Sequence, residues 1–304
     1  MRALVAGATG FIGRRLVPAL VAERHDVRCL VRDPERARQL GQGGCELIPG
    51  DLAREGTGLD AALGDVEVAY YLVHMMSEPG YAESELAAAR RFARAAAAAG
   101  VARVVYLGGL GDDHHASPHL RSRHATAEVL AAEGPPLTYF RAAMVIGARS
   151  ESFLLLRAIA ERLPLVPSNE WLHHRSQPIG IRAVIRYLRM APAIAESRGR
   201  DVQIGGPDVY THLELVDLMA RELGRRRKRR LRVFGATPGA VSAGAGIVTH
   251  GDQRVAAELT RSLAVDTVVT DPSGARPFGI EPEPIAVALQ RALEESERTT
   301  EEAA

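Results

Sequence analysis

The chain has 304 residues, 46% hydrophobic and 25% charged, the composition of an ordinary soluble globular protein long enough to bury a core unaided. Thirty-eight basic against 37 acidic residues leave a net charge of +1, which excludes a strong global field toward nucleic acid or membranes. Two cysteines, Cys29 and Cys45, exclude a disulfide framework and a cysteine-rich zinc site. No apolar run reaches the roughly 18 residues of a membrane span, and no signal-peptide pattern opens the chain. A reduced, cytoplasmic setting is expected.

Apolar runs at 3–6, 27–31, 45–48, 66–73, 104–107 and 137–140 are short and bounded by Gly, Asp or Pro. That is the pattern of strands buried on both faces of a parallel sheet. Helical patterns lie between them. Ile12, Leu16 and Leu20 recur every four residues, residues 82–99 end at Gly100, and residues 120–132 end at Gly134 with Pro135 beyond. The alternation predicts an α/β fold, a doubly wound parallel sheet of the Rossmann type with right-handed crossovers. Pro18 falls inside the first helix and is expected to kink it. After residue 150 the rhythm is lost. Pro164, Pro167 and Pro178 punctuate a loop-rich stretch. Helices are expected at 181–195, 211–223, 252–263 and 284–295, with short strands near 201–204 and 266–269.

The first strand leads into Gly7-Ala8-Thr9-Gly10-Phe11-Ile12-Gly13, and a helix follows. Glycines there let the backbone turn tightly beside a pyrophosphate, and the helix N-terminus offers free N–H groups and the positive end of its dipole. The strand before, the helix after and a second strand ending about 20 residues on supply the context that the motif requires.

This glycine stretch resembles the fingerprint of the extended and atypical short-chain dehydrogenases/reductases. Leu30-Val31-Arg32-Asp33-Pro34, Gly50-Asp51-Leu52, Tyr70-Tyr71-Leu72-Val73-His74, Val105-Tyr106-Leu107-Gly108-Gly109-Leu110-Gly111 and Gly205-Gly206-Pro207-Asp208 agree with it. Together they resemble the NAD(P)H-binding atypical branch that includes NmrA-like proteins and the accessory NADPH-binding subunit of respiratory complex I. The resemblance implies an NAD(P)-binding Rossmann domain over 1–150. A smaller C-terminal substrate-binding region, 151–304, would pack on it to make a single globular unit. Gly7, Thr9, Gly10, Phe11, Ile12 and Gly13 then bind the cofactor. Asp51 and Leu52 match the family's adenine-contacting pair, Leu72, Val73 and His74 the segment along the ribose, and Gly108 and Ala142 the nicotinamide end. His74 reads equally as a plain loop histidine, and Asp51 as a turn residue after Gly50.

Enzymes of this fold that use NAD place an acid at the end of the second strand, against the ribose 2′-hydroxyl. Here that position is Val31, followed by Arg32. A guanidinium fork suits a 2′-phosphate, so NADP(H) is expected ahead of NAD(H), with Arg14 as a second candidate contact. The alternative is that both arginines are solvated surface residues.

The family's chemistry rests on Ser, Tyr and Lys, the last two spaced one helical turn apart. The corresponding stretch here reads Ser117-Pro118-His119-Leu120-Arg121-Ser122-Arg123. His119 stands at the Tyr position, Arg123 at the Lys position, and Gly108 or Gly109 at the Ser position. Arg123 can donate hydrogen bonds but not titrate. His119 is a candidate proton donor or an exposed histidine at a helix start. His114 and His115 beside Asp112 and Asp113 read as a solvated loop rather than a metal site, so no metal is expected. Tyr71 and Tyr106 are further proton-donor candidates that read as core residues. Ala142 and Ala143 leave room for a ring. Residues 150–178, with Trp171, are expected to cap the substrate cleft. The run 225–230 holds six basic residues and reads as a solvated loop between a helix and a strand. Three functions follow: an NADP(H)-dependent oxidoreductase acting on a small organic carbonyl, quinone or activated double bond; a non-catalytic NADPH-binding structural or redox-sensing protein; and, third, an isomerase or epimerase.

Overall fold

The computed structural model describes residues 1–54, 58–75, 80–111, 117–163, 165–168, 170–226, 228–232, 261 and 263–301. Strands β1 (Arg2–Ala6), β2 (Asp26–Val31), β3 (Glu46–Pro49), β4 (Val68–Tyr71), β5 (Arg103–Gly109) and β6 (Leu137–Ala142) alternate with helices α1 (Gly13–Ala22), α2 (Arg38–Gln42), α3 (Leu59–Leu63), α4 (Tyr81–Ala98) and α5 (Pro118–Glu133). There follow β7 (Val145–Ile146), α6 (Glu151–Arg162), β8 (Leu165–Ser168), β9 (Arg175–Ser176), β10 (Ile179–Gly180), α7 (Ile181–Met190), β11 (Asp201–Ile204), β12 (Tyr210–Thr211), α8 (His212–Glu222), β13 (Arg229–Arg232) and α9 (Ile285–Glu301).

The main sheet has the order β11-β6-β5-β4-β1-β2-β3, and every neighbouring pair in it is parallel. This is the doubly wound Rossmann arrangement that the alternation predicts. The strand order reverses beside β1, and that crevice is where ligands bind in such sheets. The edge strand β11 comes from beyond residue 150 and extends the sheet past β6.

Side chains alternate between the two faces with the period of two that strands impose. Ala3 and Val5 pack with Leu16 and Leu20 of α1 and with Val184 and Leu188 of α7. Leu4 and Ala6 pack on the opposite face with Phe92 of α4 and Leu130 of α5. Each large apolar side chain sealed this way contributes about 1.5–3 kcal/mol relative to exposure. A third core joins α6, α8 and α9 through Phe153, Leu156, Leu215, Met219 and Leu289.

Three local expectations meet a different outcome, and a fourth falls on residues that are not described. α1 runs through Pro18 as one helix, with Pro18 on its exposed face, where solvent can take the carbonyl whose bond proline removes. α7 ends at Met190 because Ala191 precedes Pro192 and begins a short 3-10 turn. Only an isolated bridge, Ser176 to Thr267, forms in the stretch 266–269, where the Asp266 carboxylate instead takes hydrogen bonds from Arg175. The helix expected at 252–263 lies almost wholly outside the described residues.

The start of α8 is held by a capping box, in which the Thr211 hydroxyl accepts from the Glu214 N–H and the Glu214 carboxylate accepts from the Thr211 N–H. Thr211→Ala is expected to cost about 1 kcal/mol. Denaturant unfolding should show this as a lower midpoint at unchanged slope.

Candidate active site

At the end of β1 the backbone leaves no room for side chains. Gly7 has φ 87°, and a Cβ there would lie 2.4 Å from the Leu72 carbonyl oxygen. A Cβ on Gly13 would lie 2.4 Å from the Gly7 oxygen. The turn closes with the Gly10 N–H donating to the Gly7 carbonyl at 3.0 Å. α1 then begins without a side-chain cap; the Arg14 and Arg15 N–H groups donate to the Gly10 and Ile12 carbonyls, so the N–H groups ahead of Arg14 are the ones this helix start offers an anion. Such a turn fits the pyrophosphate of a dinucleotide.

The turn borders a cavity of about 420 Å³. Gly7, Gly10, Phe11, Ile12 and Gly13 form one wall; Leu72, His74, Gly108 and Ala142, from the carboxyl ends of β4, β5 and β6, form the floor. His119 and Arg123 enter from α5, Ser150, Glu151 and Ser152 from the start of α6, and Ser176, His212 and Thr267 from the C-terminal half. Of the sequence-predicted residues, Thr9, Arg32, Asp51, Leu52 and Val73 lie outside this wall. Thr9 is exposed, and its carbonyl accepts from Arg14 Nε at 2.7 Å. Arg32 is exposed just beyond β2. Asp51 Oδ1 accepts from the Ala53 N–H at 2.9 Å. Leu52 is buried, and its carbonyl accepts from Arg91. Val73 is half-buried.

Three side chains set the electrostatics. A guanidinium N–H of Arg123 donates to His74 Nε2. Arginine has no acceptor, so this nitrogen carries the lone pair and the proton of a neutral His74 sits on Nδ1. Burial, then Arg123, then His119 push the His74 pKa well below the usual histidine range. By area His74 is exposed, and it lines the cavity. His119 is 8% exposed, not the open helix-start residue of one sequence reading. Burial first and Arg123 second hold it neutral well below the usual range. The trio is thus one fixed cation between two neutral imidazoles.

A side chain at the serine position would require its neighbours to shift. A Cβ on Gly108 would fall 2.7 Å from the Tyr139 ring, and one on Gly109 would fall 2.3 Å from Leu120 Cδ2. Tyr71 and Tyr106 belong to the core on the α4–α5 face. The Tyr106 hydroxyl donates to the Arg123 carbonyl at 3.4 Å, and burial pushes its pKa up to about 12.

The basic run is partly structural. Arg225 donates to the Glu161 carbonyl at 2.8 Å and Lys228 to the Leu163 carbonyl at 2.9 Å, covering the end of α6 where cations are favoured. Arg230 pairs with Asp217 at 2.9 Å. Residues 112–116, with His114 and His115, and the side chain of Trp171 lie outside the described residues. Among the described residues no group of three His, Cys, Asp or Glu side chains is arranged to hold a metal ion, and no helix is long and apolar enough to cross a membrane. Sequence reasoning missed His212, whose place after Thr211 reads as no more than a helix start.

Residues 1–168 match the model of the NmrA-like family. The chain belongs to that family. A Photosystem II assembly factor Ycf39 of Cyanophora paradoxa is 30% identical over 143 residues, 46% of this chain and 44% of that protein. An NAD(P)H azoreductase of Xenophilus azovorans is 35% identical over 108 residues, 36% of this chain and 35% of that protein. The chain thus aligns with less than half the length of either relative. In fold it is similar to the Citrobacter sp. triphenylmethane reductase complexed with NADP(H), with TM-score 0.75, 18% identity and coverage of 96% and 100% of the two chains. It is also similar to MoeE5 in complex with UDP-glucose and NAD, with TM-score 0.72, 18% identity and coverage of 99% and 100%. The NmrA-like chain therefore shares the Rossmann-like α/β fold of these proteins.

Neutral buried histidines make stability depend on pH. Unfolded imidazoles take up protons below about 6.5, whereas His119 and His212 stay neutral in the fold, His212 down to about 4. The unfolded chain then binds more protons, so stability is present above about pH 6.5 and declines below it. The slope is at most about 1.4 kcal/mol per pH unit for each group. Unfolding midpoints at pH 7, 6 and 5 should fall in that order, and His119→Gln should flatten the decline.

Proposed function

We propose that this protein is an NADP(H)-dependent reductase of a small organic carbonyl, quinone or activated double bond. The observation that carries this reading is the convergence on one cavity of the glycine turn, the uncapped start of α1 and the Arg123–His119 pair. The names of the azoreductase and triphenylmethane reductase support it. In this reading 151–304 caps the substrate cleft, and the protein works in the cytoplasm.

The backbone N–H groups of Phe11, Ile12 and Gly13, where the glycine turn enters α1, would hold the pyrophosphate. Arg32, beyond β2, pairs with the 2′-phosphate. Asp51 and Leu52 flank the adenine, Leu72, Val73 and His74 the ribose, and Gly108 and Ala142 leave space for the nicotinamide. When bound, reduced nicotinamide supplies a hydride to the substrate carbon. The substrate's π-bond electrons move to its oxygen, where the charge develops. His119, neutral at pH 7, donates its N–H hydrogen bond to that oxygen, and the proton that completes the alcohol comes from water. Arg123 orients the same oxygen or a ribose hydroxyl and supplies fixed positive charge in a low-dielectric site.

A second reading has its own support. Gly108 and Gly109 stand at the serine position, and His119 and Arg123 replace the other two groups, which suits a non-catalytic NADPH-binding structural or redox-sensing role.

NADPH is expected to bind tighter than NADH, and Arg32→Ala to cost on the order of 1.5–3 kcal/mol for NADPH alone. Titration calorimetry with both cofactors checks this; equal wild-type affinities would sink the assignment of Arg32. His119→Ala is expected to lower turnover about 100- to 1,000-fold, the loss of one oxyanion donor, while NADPH affinity holds. Arg123→Ala should weaken binding instead. The assay is loss of reduced-nicotinamide absorbance against quinones, ketones and enones. Tight stoichiometric NADPH binding with no consumption of any of them would favour the sensing role.

A further inference from the structure

The cavity wall holds a polar side chain that the proposed chemistry does not use. His212 opens α8, is 5% exposed and lines the cavity, and neither of its ring nitrogens has a hydrogen-bond partner. Its backbone N–H is satisfied by the His174 carbonyl at 3.3 Å. The helix start is capped by Thr211 and Glu214, so the ring has no part in it. A buried imidazole with both nitrogens bare forfeits hydrogen bonds that it makes in water, and folded proteins leave few such groups. Both nitrogens are turned away from accessible surface. A half-turn about Cβ–Cγ, which exchanges each nitrogen with a ring carbon inside the same outline, is the movement by which the ring would present a nitrogen to the cavity.

The surroundings select the ligand. Burial, then the His174 ring, push the His212 pKa down to about 4 against the pull of Asp266. At neutral pH it therefore offers one N–H donor and one lone pair. Ser176 and Thr267 on the same wall already bond each other at 2.9 Å. Leu155 and Leu263 make the wall apolar, and Glu151 opposes an anion. We propose that His212 determines substrate specificity by hydrogen-bonding a neutral oxygen, a carbonyl or hydroxyl, at the far end of an otherwise apolar ring-shaped molecule whose reacting oxygen lies at His119 and Arg123. A quinone, with two opposed oxygens, meets both demands; this assignment rests on the reductase reading above.

The test compares the full chain with His212→Leu and His212→Gln, using NADPH with 2-methyl-1,4-naphthoquinone for turnover and 1-naphthol as a binder that accepts no hydride. Without ligand, His212→Leu should melt no lower than wild type, because it removes an unpaired polar ring. Its KM for the quinone should rise about tenfold, the equivalent of one hydrogen bond to the substrate. Its kcat should stay within about threefold and its NADPH affinity within about twofold. His212→Gln, which keeps a donor and an acceptor, should restore most of the KM. 1-Naphthol should raise the melting temperature of wild type and His212→Gln but not of His212→Leu. A lower melting temperature for His212→Leu with an unchanged KM would show a structural histidine and overturn the proposal. An equal KM for the quinone in all three proteins, with turnover intact, overturns it while the reductase reading stands. No turnover of the quinone or of the ketones and enones above, with the naphthol pattern intact, overturns the reductase reading and leaves His212 as the ligand anchor. Neither turnover nor any naphthol effect overturns both.

Discussion

The site depends on one close approach: the chain leaving β1 passes the chain leaving β4 with no space for a Cβ between Gly7 and the Leu72 carbonyl. This contact sits where the strand order reverses, and the parallel pairing of β1 with β4 fixes it on one side while β2 holds β1 on the other. Gly7 in its left-handed conformation lets the chain turn at once into α1, so the helix start opens on the crevice rather than against the sheet. Any other residue at position 7 would strain the backbone and push the two strand ends apart, and the cavity floor would go with them.

A second constraint is electrostatic. Arg123 is the cation at the inner end of the cavity, and it acts on both neighbouring imidazoles. Burial already disfavours charge on them, and the guanidinium adds to that penalty. The result is a site whose histidines donate or accept hydrogen bonds without changing charge near neutrality. A lysine at the same position would bring charge without the planar fork that reaches His74 and would leave the His74 tautomer less fixed.

The C-terminal half contributes differently. Its own core, built on α6, α8 and α9, sets the helix starts that carry Ser150 and His212 against the cavity. The end of α6 is covered by Arg225 and Lys228, so part of a conspicuous charge run serves helix termination. Arg226 is exposed and fits the solvated loop that the sequence suggests.

The sequence by itself determined the parallel sheet, the glycine turn and the order of the elements along the cavity floor. Those features are local: short apolar runs need burial on both faces, and Gly7-Ala8-Thr9-Gly10-Phe11-Ile12-Gly13 encodes its turn in adjacent residues. The positions of His119 and Arg123 were legible through their spacing on one helix. Their protonation was not, because a pKa depends on which groups the fold packs around a ring, and α5 buries His119 beside Arg123. Nor was the fate of Arg225 and Lys228, whose partners lie more than 60 residues away. His212 carries no local signal at all. Only the tertiary structure, by packing the start of α8 against the carboxyl ends of the strands, turns an ordinary histidine after a helix cap into a buried polar group on the cavity wall.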